Sequence, residues 1–238
     1  MNKLSRNTIK CAALAAMTCN HAAYALLPEG TPLWILLTDI GYFTAPVMCA
    51  LLTGGYHYTK NLTAYMARLF GFALLAQLPY MYALHMKNGN VLFSLLLCLL
   101  AIHVMNTEYR PLVRTGSLAL IVVTSAFCDW AVLLPAMAIL FENGRGNTKQ
   151  YRSAWEKILA VYMVSMLAQY LATPYRPLQA ILLTLAATAG PAAAALTILY
   201  LYDPSRPTGR FPGKWFFYIY YPAHLAILVL IRTCLFRG

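Results

Sequence analysis

Lys10 and His21 are the residues whose types and spacing suggest chemistry first. An imidazole accepts or donates a proton near neutral pH, and a lysine ammonium is a compact charge that draws anions. Eleven positions on an α-helix make three turns plus about 20°, so the two share one face about 16 Å apart. Both lie in an apolar run from Ile9 to Leu27, with Lys10 at its charged edge. His21 falls about 18 Å along the axis from Ile9, past the middle of a bilayer. A cation at the mouth and an imidazole at depth is the layout of a pocket open to the cytoplasm. The same spacing also suits a basic flank that anchors a helix whose histidine is hydrogen-bonded among its neighbours.

Further polar groups stand inside apolar runs, where an ionisable side chain costs several kcal/mol and marks a functional position by default. Asp39 is surrounded by Leu36, Leu37 and Ile40. Gln77 lies toward the end of one apolar run, Asn90 opens the next, and Asp129 sits in a turn between two more. Together with His21 these could line one polar cavity; for Asp129 a loop-end carboxylate in water is the plain alternative. His224 lies about 12 Å into the last run, in the tyrosine-rich stretch that includes Tyr221. Those tyrosines fit an interfacial aromatic belt. His57, His85 and His103 fall at the edges of runs and need no role.

These residues must be carried on membrane helices. The chain is 61% hydrophobic and 11% charged over 238 residues, against about 25% charged for soluble domains. Apolar segments near 9–27, 33–54, 62–84, 90–105, 112–127, 130–141, 155–171, 178–202 and 214–236 approach the length of a bilayer span. Breakers such as Pro28, Gly54-Gly55, Pro111 and Pro174 separate them. The expected fold is all-α, one integral-membrane domain over 1–238, a bundle of about nine spans. Pro79, Pro135, Pro191 and Pro222 lie within runs and should kink them.

With the N-terminus in the cytoplasm, only Lys87, Arg176, Arg232 and Arg237 of the 18 Lys and Arg residues fall outside. That is a strong positive-inside bias and gives N-in/C-out in a membrane that faces the cytoplasm. It also accounts for the net charge of +11 without nucleic acid. Ala23-Tyr24-Ala25 after a basic start imitates a cleavable signal peptide. The six cysteines sit in or beside apolar runs and read as small buried side chains. No metal-ligand spacing, Walker sequence or nucleotide fingerprint is present, which argues against an ATP-driven pump.

In five ordered blocks from Ile9 to Ile231 the sequence resembles the TraX family of conjugative pilin acetylases. Ile9-Lys10 through Met17 and Asn20-His21 are similar to the family's opening block. Gly41 to Pro46, Gly55-Tyr56, Thr59, Tyr65 and Arg68-Leu69 are similar to its second and third spans. Gln77 and Pro79, then Asn90, Phe93 and Ser94, then Asp129-Trp130, and finally Tyr220-Tyr221-Pro222 with His224-Leu225 complete the likeness. The Lys10-to-His21 spacing also resembles the signature of acyltransferase type 3 membrane enzymes. The resemblance implies an acetyltransferase that takes acetyl-CoA from the cytoplasm, with Lys10 and Arg68 on its phosphates and His21 at the reacting centre. It implies a retained first span and a pilin N-terminus as acceptor, with an envelope glycan hydroxyl as the alternative. Asn20, Asp39, Asp129 and His224 are the candidate catalytic partners of His21, and Gln77, Asn90 and Tyr221 the candidate substrate-binding residues, Asp39 standing outside the matched blocks.

Two positions depart from the family. Asn20 stands where it has Asp, and Tyr42 where it has Arg. If the family's Asp and Arg form a buried pair, losing both avoids leaving one charge alone. Asn20 cannot stabilise an imidazolium as a carboxylate does; Asp39 or Asp129 could supply that charge. A non-catalytic transporter or pilus-assembly partner is the reading of another class that these substitutions leave open.

Overall fold

The computed structural model describes residues 3–207 and 212–235; Arg210 and Arg237 of the charge count lie outside them. Helices dominate the described chain: α1 (Arg6–Leu26), α2 (Pro32–Gly41), α3 (Thr44–His57), α4 (Leu62–Leu84), α5 (Val91–Met105), α6 (Pro111–Ser125), α7 (Leu133–Asn143), α8 (Thr148–Leu171), α9 (Pro177–Leu196) and α10 (Lys214–Leu235), with a π turn, Thr197–Leu201, after α9. The described β pairing is limited to two isolated bridges, Leu4 with Tyr202 and Gly89 with Cys128.

The helices begin where local chemistry satisfies their first N–H groups. Ser5, Thr31, Asn61, Asn90 and Asn147 accept bonds from the backbone one turn ahead, the usual work of an N-cap. Pro32, Pro111 and Pro177 occupy first helical positions, where a missing N–H costs nothing. Each apolar segment of the sequence falls on a helix. The segment 33–54 falls on two, α2 and α3, parted at Tyr42-Phe43. Pro46 explains the break, because it cannot donate to the carbonyl of Tyr42 and its ring crowds that turn. Pro135, expected to kink a helix, stands instead in the first turn of α7 and interrupts no ladder. Pro79, Pro191 and Pro222 lie inside α4, α9 and α10.

Four stretches, Pro32–His57, Leu62–Leu84, Pro177–Leu201 and Lys214–Leu235, are long and apolar enough to cross a membrane. The exposed faces of these helices are themselves apolar: Phe70, Leu74, Leu75 and Leu78 on α4, and Leu178, Leu182 and Leu185 on α9. Such surface suits lipid rather than water. Cys49 and Cys98 are buried as expected, but Cys11 and Cys234 are exposed, because they lie on helix faces turned away from the packed core.

The chain packs as two compact units, one from residues 1–48 and 144–208, the other from 49–143 and 209–238. In the first, α1 lies along α2, and α9 packs on both α2 and α8. Glycine permits these approaches. A Cβ on Gly41 would stand 2.1 Å from Cβ of Asn20, and one on Gly190 would stand 2.5 Å from the carbonyl oxygen of Asp39. Thr44 Oγ1 donates to the carbonyl of Ala13 at 2.8 Å, and Ile9, Ala13, Trp155, Ile158 and Ala187 fill the core. In the second unit α4 packs on α5 and α10, and α5 on α6 and α7, around Leu99, Ile102, Leu134, Met137 and Phe141.

Candidate functional site

The polar residues expected to line one cavity belong to the two units separately. Lys10, Asn20, His21 and Asp39 are in the first, and Arg68, Gln77, Asn90, Asp129, Tyr221 and His224 in the second.

In the first unit the buried stripe of α1 runs through Ile9, Ala13, Met17 and His21. His21 is 5% exposed, so its ring belongs to the packed interior. Lys10, on the same helix face, is half-buried, one turn after Arg6. Asn20 Nδ2 donates to the carbonyl of Thr38 at 3.1 Å. With the Gly41 contact this pins the middle of α1 against the end of α2, so His21 and Asp39 sit at one level along the helices. The Asp39 carboxylate is half-buried and has no hydrogen bond or ion pair among the described residues. Tyr42 sets its ring 6.1 Å from that of Tyr162, edge to face. The ring of Tyr24, on α1, meets Trp34 at 5.1 Å.

In the second unit the expected residues form a satisfied network. Asn90 Nδ2 donates to the carbonyl of Ala73 at 2.8 Å and to Gln77 Oε1 at 2.9 Å, while its Oδ1 accepts from Leu92 N at 3.0 Å. Gln77 Nε2 donates to the carbonyl of Asn88 at 2.9 Å, and Asn90 N donates back to Gln77 Oε1 at 3.0 Å. Gly89 ties this loop to the turn after α6: Gly89 N donates to Phe127 O at 2.9 Å, and Asp129 N to Gly89 O at 2.7 Å.

The turn that carries Asp129 is conformationally expensive. Trp130 and Val132 have φ of 54° and 58°, the left-handed region that a β-branched residue avoids. Val132 N donates to Ser125 Oγ at 3.0 Å, Trp130 N donates to Asp129 Oδ1 at 2.9 Å, and Ser94 Oγ donates to the Asp129 carbonyl. Burial pushes the Asp129 carboxyl up to about 6, and the Trp130 N–H offsets part of that. Tyr221 is buried within electrostatic reach of Asp129 and Tyr80. His224 Nδ1 lies 2.8 Å from the carbonyl oxygen of Tyr220. A carbonyl only accepts, so the proton is on Nδ1 and Nε2 is the basic nitrogen. Its ring stacks on Tyr220 at 5.2 Å. Arg68 holds its guanidinium 5.9 Å and 6.0 Å from the rings of Tyr65 and Tyr218.

The partners of the three histidines left without a role escaped the sequence: Tyr56 meets His103, Arg232 meets His85, and the third histidine meets a carboxylate. His57, at the end of α3, meets both oxygens of Glu142 at 3.0 and 3.1 Å, and Asn106 Nδ2 donates to the same carboxylate at 2.9 Å. Glu142 is an isolated acid at the edge of an apolar run, and that rarity was the available signal. Among the described residues no group of three His, Cys, Asp or Glu side chains could hold a metal ion.

The chain is similar to the probable fimbrial assembly protein FimC, serogroup H1, of Dichelobacter nodosus, at 26% identity over 233 residues covering 92% of each chain. No solved structure matches it. The profile of the TraX protein family matches residues 5–232, nearly the whole length, and the chain belongs to that family.

Proposed function

We propose that this protein is a membrane-embedded acetyltransferase of a bacterial cytoplasmic membrane that modifies a pilin N-terminus, or a similar acceptor, during pilus or fimbrial assembly. The observation that carries this reading is His21, buried in α1 on the face that bears the half-buried Lys10. Acetyl-CoA is the donor substrate, its phosphates drawn to Lys10. His21, as neutral imidazole, takes a proton from the acceptor. The acceptor nitrogen forms a bond to the thioester carbonyl carbon, the C–S bond breaks, and the CoA thiolate takes up a proton.

A nine-span, N-in/C-out topology gives the donor access to Lys10 from the cytoplasm. Contacts within each unit support it, because they join ends that the charge count assigns to one side. His57 and Asn106 meet Glu142, and Leu4 pairs with Tyr202, at inner ends; Gly89 pairs with Cys128 at outer ones.

The test is transfer of labelled acetyl from acetyl-CoA by the purified protein, with His21→Ala alongside. Loss of transfer with the helical content intact is expected; unchanged transfer would remove His21 from the mechanism. A second reading, a non-catalytic pilus-assembly partner or transporter, is favoured by Asn20 and Tyr42 in place of the family's charged pair and by the fimbrial assembly name of the Dichelobacter relative. Neither binding nor transfer of acetyl-CoA by the wild type would favour it. An O-acetylated envelope glycan is the other acceptor, and it separates from a pilin amine by the chemistry of the labelled product.

A further inference from the structure

Asp39 is the anomaly of the first unit. Carboxylates at membrane depth pair with a cation or line a polar path, yet the Asp39 carboxylate has no ion pair or hydrogen bond among the described residues. No cation of the same two helices is placed to serve. Asp39 lies at the level of Asn20 through the Thr38 contact, and Lys10 is about 15 Å down α1 from that level. What surrounds the carboxylate is aromatic. Its charge acts on Tyr42, Tyr162 and Tyr170, and Tyr42 and Tyr162 present ring to ring at 6.1 Å. A carboxylate with no cation of its own, within electrostatic reach of three tyrosines, is the chemistry that receives an ammonium: the acid supplies charge and a tyrosine ring supplies cation–π attraction.

Resting on the acetyltransferase reading, we infer that Asp39, with the rings of Tyr42 and Tyr162, binds the primary ammonium of the acyl acceptor. His21 stands at the same level of the unit, so an amine held here is delivered to the depth of the imidazole. The ammonium gives one proton to His21 before the nitrogen forms the C–N bond, and its second passes to the CoA thiolate as the C–S bond breaks; a glycan hydroxyl, carrying no charge, gains nothing from this site. The arrangement therefore selects amines over hydroxyls.

The full-length protein in nanodiscs of phosphatidylcholine and phosphatidylglycerol, which contain no primary amine of the ethanolamine type, is titrated with Gly-Leu-Leu-amide and with its N-acetylated form. The wild type is expected to bind the free-amine peptide at least about tenfold more tightly. Asp39→Asn, nearly isosteric, should bring the two within about twofold. Tyr42→Leu should weaken the free amine about threefold to tenfold and Tyr42→Phe should leave it unchanged, because the ring face is kept. Equal affinities for the two peptides on the wild type, or discrimination that survives in a folded Asp39→Asn, overturns the inference. Adding phosphatidylethanolamine separates a lipid ammonium from a peptide one. Competition with the peptide would make the lipid the occupant and overturn the acceptor assignment; no competition supports it. Acetyl transfer measured on the same samples keeps the two readings apart. Discrimination without transfer sinks the acetyltransferase reading alone, and transfer without discrimination sinks this one alone.

Discussion

Asn90 in the second unit and Asp39 in the first are both polar residues set among apolar helices, and the protein treats them in opposite ways. Asn90 is fully buried and makes bonds to Ala73, Gln77 and Leu92. Asp39 is half-buried and its carboxylate meets no donor among the described residues. A satisfied network rigidifies and specifies one packing, whereas an unsatisfied group destabilises the fold and persists where function needs it. The second unit's polar residues therefore read chiefly as architecture, and the first unit's as a site.

The largest effect is expected where the first unit is most crowded. Gly41→Val should abolish the folded protein and Gly41→Ala should lower stability by about 2–4 kcal/mol, because the new carbon overlaps Asn20. Gly71→Ala, which meets nothing within 4 Å, should be neutral or slightly stabilising. Thermal unfolding in detergent reads all three. If Gly41→Ala behaves like Gly71→Ala, α1 and α2 do not cross as closely as described.

Substitution by leucine tests the contrast itself. Asn90→Leu strands the Ala73 carbonyl and Gln77 and should cost about 2–3 kcal/mol. Asp39→Leu removes a carboxylate with nothing to lose and should leave the unfolding midpoint equal or higher, while acetyl transfer falls. Equal destabilisation by the two would erase the distinction between the units.

Asp129 gives a pH dependence of known sign. Its folded pKa, about 6, exceeds the ordinary carboxyl value of 3.8, so the folded state holds the proton more tightly. The stability it contributes is complete below about pH 4 and is lost as pH rises through about 6. Unfolding midpoints compared with Asp129→Asn across that range should converge at low pH and diverge above it, with the wild type the less stable, by an amount on the order of 2–3 kcal/mol at most. A smaller change, about 1 kcal/mol, is expected from Glu142→Gln, which keeps the Asn106 contact but loses the charge opposite His57.

Apolar length and breakers such as Pro28, Pro111 and Pro174 were enough to place the helices from sequence, since a proline acts within one turn. The parting at Tyr42-Phe43 was hidden because Pro46, which causes it, lies inside an unbroken apolar run. Candidate residues were legible by type, since a buried imidazole or carboxylate is rare in apolar sequence. Their partners were not: Asn20 meets Thr38, 18 residues on, and His57 meets Glu142, 85 residues on. Neither spacing follows from helical periodicity. The two-unit division follows from such long-range packing and left no mark in composition.

Acetyl transfer as proposed turns on the imidazole of His21. Single-turnover acetyl transfer from acetyl-CoA to a free-amine peptide, with wild type and His21→Ala matched for helical content and for CoA binding, addresses it. A fall of at least about a hundredfold in the rate of transfer, with CoA still bound, is the predicted result. An unchanged rate would contradict it and return His21 to the packed interior of α1.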